Sequence, residues 1–161
     1  MAAMLTTGFD HVAVLTADTD AFTSFFVEVF GAEVFSSLEL GPGMRLTLVK
    51  VGPDSEFNVF EIEGNEEAGK QTPMGGRGRL DHLGLRAGSM EDFRTIRQRL
   101  MDRGATDGFV TDFGPVLSCF FVGPDGLEAE VCVPNPDWAP GGPLNPPGTP
   151  AARFHTAESG G

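Results

Sequence analysis

The chain of 161 residues contains no tyrosine, one tryptophan, two cysteines and three histidines. Cys119 and Cys132 make neither a disulfide framework nor a zinc motif, so reduced thiols are expected. A chain of this length buries most of its apolar surface without disulfides or a structural metal. Basic residues are also scarce, with 11 Lys and Arg against 23 Asp and Glu and a formal charge of −12. That field repels nucleic-acid phosphates and anionic membranes, which argues against both as partners, and it attracts a metal ion or a cationic small molecule. No run reaches the roughly 20 apolar residues of a membrane span. The opening MAAMLTTGF lacks the basic flank and apolar stretch of a signal peptide. The expected compartment is the cytoplasm.

What the chain does have is repetition. FDHVAVLTADTDAF (9–22) and LDHLGLRAGSMEDF (80–93) follow one pattern: apolar residue, Asp, His, alternating strand, polar break, acidic helix start, Phe. His11 and His82 are 71 residues apart, as are Phe22 and Phe93, and self-similarity at a fixed offset is read before anything else. Each segment predicts a strand (about 9–15 and 80–86) leading into a helix. The first helix, about 19–30, places Phe22, Phe25, Phe26, Val29 and Phe30 at helical spacing. The second, about 89–103, opens on the cap-like SMED and carries Met90, Phe93, Ile96, Leu100 and Met101 as its stripe. Gly31 and Gly104 are the expected helix stops. Three strands follow each helix: 34–40, 44–51 and 57–63, then 108–113, 116–122 and 127–133, separated by Gly-Pro turns.

The predicted fold class is therefore α+β: two pseudo-symmetric βαβββ modules forming a curved mixed sheet around a cleft. Module one spans 1–63 and a linker without apolar periodicity 64–79. Module two spans 80–134 and a Pro/Gly-rich tail 135–161. Seven of the twelve prolines lie from Pro134 onward, a density that no helix or ladder survives.

Strand alternation then sorts side chains by face. With Val12 and Val14 toward the helix, His11 faces the cleft, and Leu83 and Leu85 likewise leave His82 facing it. In FNVFEIE, Phe60 and Ile62 are read as helix-facing, which turns Glu61 inward. In LEAEVCV, Ala129, Val131 and Val133 cover the helix, so Glu130 turns inward. Each module thus offers one His from its first strand and one Glu from its last. Two imidazoles and two carboxylates suit a divalent metal such as Zn, Ni, Co, Mn or Fe, with positions left for substrate oxygens. Such an ion polarises a carbonyl while a carboxylate carries the proton. Arg45 is a candidate grip for an anionic substrate group, and Cys119 is expected opposite Glu130. Asp10 and Asp81 are read as facing away and trimming the strand entry.

FDHVAV, LDHLGL and FFVGPDGLEAEV together resemble the vicinal oxygen chelate superfamily, over about 8–134. This superfamily includes glyoxalase I, epimerases, fosfomycin resistance enzymes, extradiol dioxygenases and bleomycin resistance proteins. Gly123 departs from the Asp-Pro-Asp-Gly turn of these proteins. The resemblance implies paired βαβββ modules and a divalent metal held by His11, Glu61, His82 and Glu130. Two His and two Glu are similar to glyoxalase I, implying a metal-dependent lyase or isomerase. Its small-molecule substrate would chelate through vicinal oxygens, with Glu130 and Glu61 as catalytic carboxylates, in a homodimer. The alternative is a non-catalytic binder of an antibiotic or metabolite, of the bleomycin-resistance type. Ring cleavage by a dioxygenase is disfavoured, since it needs a Tyr and an extra His.

Overall fold

The computed structural model describes residues 9–70, 75–76, 81–144 and 146–155. Leu80, most of the 71–79 stretch, residues 1–8 and the tail end 156–161 lie outside the described residues. The chain divides into two compact units between Lys70 and Gln71, each with one helix and one four-stranded mixed sheet. The class is α+β.

The first unit runs β1 (His11–Leu15), α1 (Thr19–Phe30), β2 (Glu33–Gly41), β3 (Met44–Gly52) and β4 (Ser55–Ile62). Its sheet order is β1-β4-β3-β2, with β1 and β4 parallel and the other pairs antiparallel. Helix α1 begins where Asp18 accepts a hydrogen bond from the Ala21 N–H at 2.9 Å, so a free helix donor finds a side-chain partner. It ends at Gly31, whose φ of 69° suits a residue without a Cβ. Its buried face is phenylalanine: Phe22 and Phe26 are 2% and 0% exposed, and both rings contact Phe57 of β4, at 5.8 and 4.9 Å. Each such ring contributes about 1.5–3 kcal/mol by burial.

That contact decides the register of the sheet face. FNVFEIE carries apolar residues in both phases, and a one-residue slip exchanges faces. Phe57 and Val59 are the pair that packs under α1, beside fully buried Val49. Phe60 and Ile62, expected on the helix side, lie on the opposite face. Glu61 consequently shares the helix side with Val59.

The second unit runs β5 (Leu83–Arg86), α2 (Met90–Asp102), β6 (Thr111–Asp112), β7 (Val116–Val122), a 3-10 turn (Pro124–Gly126) and β8 (Glu128–Pro134). The sheet order β5-β8-β7-β6 repeats that of the first unit. Ser89 caps α2, accepting from the Asp92 N–H at 3.0 Å. Of the expected stripe, Phe93 and Leu100 are fully buried and Met90, Ile96 and Met101 half-buried. Strand β6 is much shorter than expected. The Thr106 hydroxyl donates to the Phe120 carbonyl and accepts from the Gly108 N–H, while Arg97 Nε donates to the Gly108 carbonyl at 2.6 Å. These bonds hold 106–110 in an irregular path, and no ladder forms until Thr111.

The Pro-rich tail packs against this second unit. Phe154 stacks edge-on to Phe120 with ring centres 4.8 Å apart, and the Arg153 guanidinium lies 4.7 Å over the Phe109 ring and pairs with Asp107.

Candidate functional site

In the second unit, the parallel pairing sets Leu83 opposite Ala129 and Gly84 opposite Glu130. Ala129, Val131 and Val133 are buried toward α2, which turns Glu130 to the other face as expected. There, His82 Nε2 lies 3.3 Å from Glu130 Oε1, and the Ser118 hydroxyl donates to Glu130 Oε2. Gly84 leaves room for this carboxylate, since a Cβ there would come to 3.3 Å from Oε1. Phe120 pairs with Glu130 across β7–β8, and its ring packs on the His82 ring at 5.7 Å. His82, Glu130 and Ser118 thus form one hydrogen-bonded group beside the Phe120 ring, which in turn stacks with Phe154.

Asp81 does not face away. Its Oδ2 lies 2.8 Å from His82 Nδ1, and in the first unit Asp10 Oδ1 lies 2.8 Å from His11 Nδ1. The Asp that precedes each His holds one ring nitrogen and so orients the other, a role carboxylates commonly play behind working imidazoles. This corrects the strand-entry reading of both aspartates.

The first unit is built differently. His11 starts β1 on the face away from α1, about half exposed. Glu61 lies on the opposite face, at the N-terminus of α1. Its Oε2 accepts the Thr19 backbone N–H at 2.7 Å and an Arg45 N–H at 2.8 Å. The helix N–H and then the guanidinium hold its carboxyl at about 2, well below the usual 4.5. His11 and Glu61 therefore do not share a face. Arg45, proposed as a substrate grip, is committed to Glu61 and to Asp20 at 3.4 Å on the helix side.

Cys119 also moves from its expected place. It pairs with Val131, and Phe120 takes the position opposite Glu130. The thiol is fully buried toward α2, 3.5 Å from the Thr106 hydroxyl, and burial pushes its pKa up. It is a core residue.

A residue not singled out from sequence occupies the place expected of Glu61. Ala13 pairs with Asn58 two residues beyond His11, as Gly84 pairs with Glu130 two residues beyond His82. Asn58 is the register counterpart of Glu130. The signal was present in the repeat: the two histidines and the Val-Gly-Pro-Asp turns at 51 and 122 keep an offset of 71, and Gly31 to Gly104 is 73. Offsets of 71 to 73 place a partner for Glu130 between 57 and 59, whereas Glu61 requires 69.

Among the described residues no group of three or more His, Cys, Asp or Glu side chains is placed to hold a metal ion. The donors do not fit the four-ligand set in the first unit, because Glu61 is on the wrong side of its sheet.

Two βαβββ units, each opening on an Asp-His pair with a parallel outer strand, define a paired-module fold. The chain belongs to the Glyoxalase/Bleomycin resistance protein/Dioxygenase superfamily, whose family model matches residues 8–131. No curated protein matches it. Among solved structures, it is similar to a glyoxylase/bleomycin resistance protein/dioxygenase domain from Frankia sp. EAN1pec. The identity is 18%, the TM-score 0.68, and 82% of this chain and 95% of that one are covered. TnmS3, an antibiotic-binding protein from Streptomyces sp. CB03234, matches at 22% identity and TM-score 0.57, over 83% and 100% of the chains. A mutant of glyoxalase I from Zea mays matches at 14% identity and TM-score 0.57, over 76% of this chain and 44% of that one. These likenesses show the fold. No helix among the described residues is long and apolar enough to cross a membrane.

Proposed function

We propose that this protein is a small-molecule binder of the antibiotic- or metabolite-binding type, not a four-ligand glyoxalase. The observation that carries this reading is the position of Glu61, turned to the helix side and held there by Thr19 and Arg45. What remains suits recognition. Across the first sheet, Leu15, Phe60, Leu46 and Leu38 form one apolar row on the face away from α1. In the second unit, the Glu130 carboxylate sits opposite Phe120, ready to accept from a cationic or hydrogen-bond-donating group. The net charge of −12 favours the same ligands. The first unit favours a small, largely apolar ligand, and the second a ligand group with an ammonium, amide or hydroxyl donor.

The opposing reading, a metal-dependent lyase or isomerase, draws support from the two histidines held at Nδ1 by Asp10 and Asp81. Equilibrium dialysis against Zn, Ni, Co and Mn, with metal content measured per chain, separates the two. Binding well below one ion per chain is expected, together with thermal stabilisation by members of a panel of apolar amines. A ligand at 100 times its Kd stabilises by about 2.7 kcal/mol, which such a scan detects. One tightly held ion per chain, lost in His82→Ala and accompanied by turnover of a vicinal-oxygen substrate, would refute the binder reading.

A further inference from the structure

We infer that Asn58 is the residue that sets the metal capacity of this protein, and that its carboxamide is a ligand-facing hydrogen-bonding group. The inference rests on the binder reading and explains how a superfamily scaffold comes to be one. Three observations converge on Asn58. In each unit the row two residues beyond the Asp-held histidine crosses from the parallel outer strand to its neighbour, at Ala13–Asn58 and at Gly84–Glu130. The same row continues to Leu48 in the first unit and to Phe120 in the second, so the two positions match in strand, face and row.

The second observation is the state of the side chain. Asn58 Oδ1 is buried and, among the described residues, has no hydrogen-bond partner. Buried carbonyl oxygens are nearly always satisfied, and leaving one unmade costs about 1–3 kcal/mol. Ala13 and Leu48 flank it in its own row, with the apolar row of Leu15, Phe60 and Leu46 on one side and the row of His11, Glu56 and Lys50 on the other, and among the described residues none of these bonds to it. The unit thus holds an unpaired polar atom at the border of an apolar row and a polar one. A bound molecule carrying an N–H or O–H would satisfy it while its apolar body covers the row.

The third is charge. Glu130 brings a carboxylate to its position, whereas Asn58 brings a neutral amide to the equivalent one. Hard and borderline divalent ions bind carboxylate far better than carboxamide. One residue difference therefore accounts for the first unit lacking the carboxylate that the second carries in the same row. Ala13 reinforces it. Gly84 is the position whose missing Cβ makes room for the Glu130 carboxylate, and the first unit carries a methyl group there.

The test uses metal ions alone as probe and the full chain. Zn and Ni affinities are measured by dialysis and calorimetry for wild type, Asn58→Glu, the pair Ala13→Gly/Asn58→Glu, and Glu61→Gln. The paired variant copies Gly84/Glu130 and guards against a clash in the single one. Affinity is expected to rise roughly tenfold or more in the paired variant, the ratio given by 1.4 kcal/mol. His11→Ala added to it is expected to abolish the gain, and Glu61→Gln alone is expected to leave affinity at the wild-type value. A folded paired variant with no gain, or a metal loss in Glu61→Gln, overturns the inference. Asn58→Leu supplies a readout independent of metal. It removes the unpaired carbonyl oxygen, so its Tm is expected at or above that of wild type, and a fall of several degrees overturns the claim that this oxygen is unpaired. Tight metal binding by wild type would refute the binder reading itself, a different result from a failed gain.

Discussion

Replacing Glu61 by Gln separates a metal ligand from a structural lock. In the folded chain Glu61 Oε2 receives the Thr19 N–H at 2.7 Å and an Arg45 N–H at 2.8 Å. A negative charge at a helix N-terminus contributes about 0.3–1 kcal/mol. An exposed ion pair adds about 0.2–1 kcal/mol. The glutamine keeps an acceptor oxygen but loses the charge, and the Glu61 side chain is 34% exposed, so screening discounts both contributions. A loss of about 1 kcal/mol at pH 7 is the expected result. In a chain of this size that lowers Tm by about 2–4 °C. The pH dependence follows from the depressed carboxyl at about 2. The stabilisation is complete above the unfolded value near 4.5 and is lost as pH falls through the folded value near 2. Urea titrations of both proteins at pH 7 and across pH 5 to 2 read the gap directly. It should be full at pH 7 and should close progressively from about pH 4.5 downward. Equal stability at pH 7, or a gap that persists unchanged in acid, would refute the lock.

Two further outcomes test the core. Cys119 is fully buried, and Cys132 is pushed up to about 12, first by burial and then by the neighbouring Glu130 charge, so neither thiol should react with a disulfide reagent at pH 8 until denaturant is added. Fast labelling of the native protein would show the second unit to be more open than described. Gly108→Ala should destabilise by about 1–3 kcal/mol, since φ is +76° and an added Cβ would press on the Met101 side chain and stand 3.1 Å from Arg97 Nη2. Urea melts check this, and an unchanged midpoint would count against the turn geometry.

The paired modules were legible because their signals are long and redundant. Phe22, Phe25, Phe26 and Val29 repeat at helical spacing, and Asp18, Ser89, Gly31 and Gly104 punctuate the helices where the structure has them. His11, His82 and Glu130 were placed on the right faces because their strands alternate cleanly. Glu61 was not, because FNVFEIE is apolar in both phases and only the ring contacts of Phe57 with Phe22 and Phe26 break the tie. The same error carried Arg45 with it, since the two residues pair across β3–β4. Cys119 missed by one position because the turn after it contains a 3-10 segment with Asp125 at φ 55°, which makes the hairpin asymmetric about Gly-Pro-Asp-Gly. Asn58 is not legible in the sequence because a lone amide carries no motif, and its meaning depends on register.

The apolar row of Leu15, Phe60, Leu46 and Leu38 also bears on the colloidal behaviour of this protein. Leu15 and Leu38 remain 41% and 47% exposed, so the row is adhesive at contact distance. The charge of −12 opposes such contact from farther away, over a range of about 30 Å at 10 mM salt and about 8 Å at 150 mM. Dilute buffer therefore keeps molecules apart before the row is felt, and salt shortens the repulsion without weakening the adhesion. Colloidal behaviour is thereby tied to ionic strength.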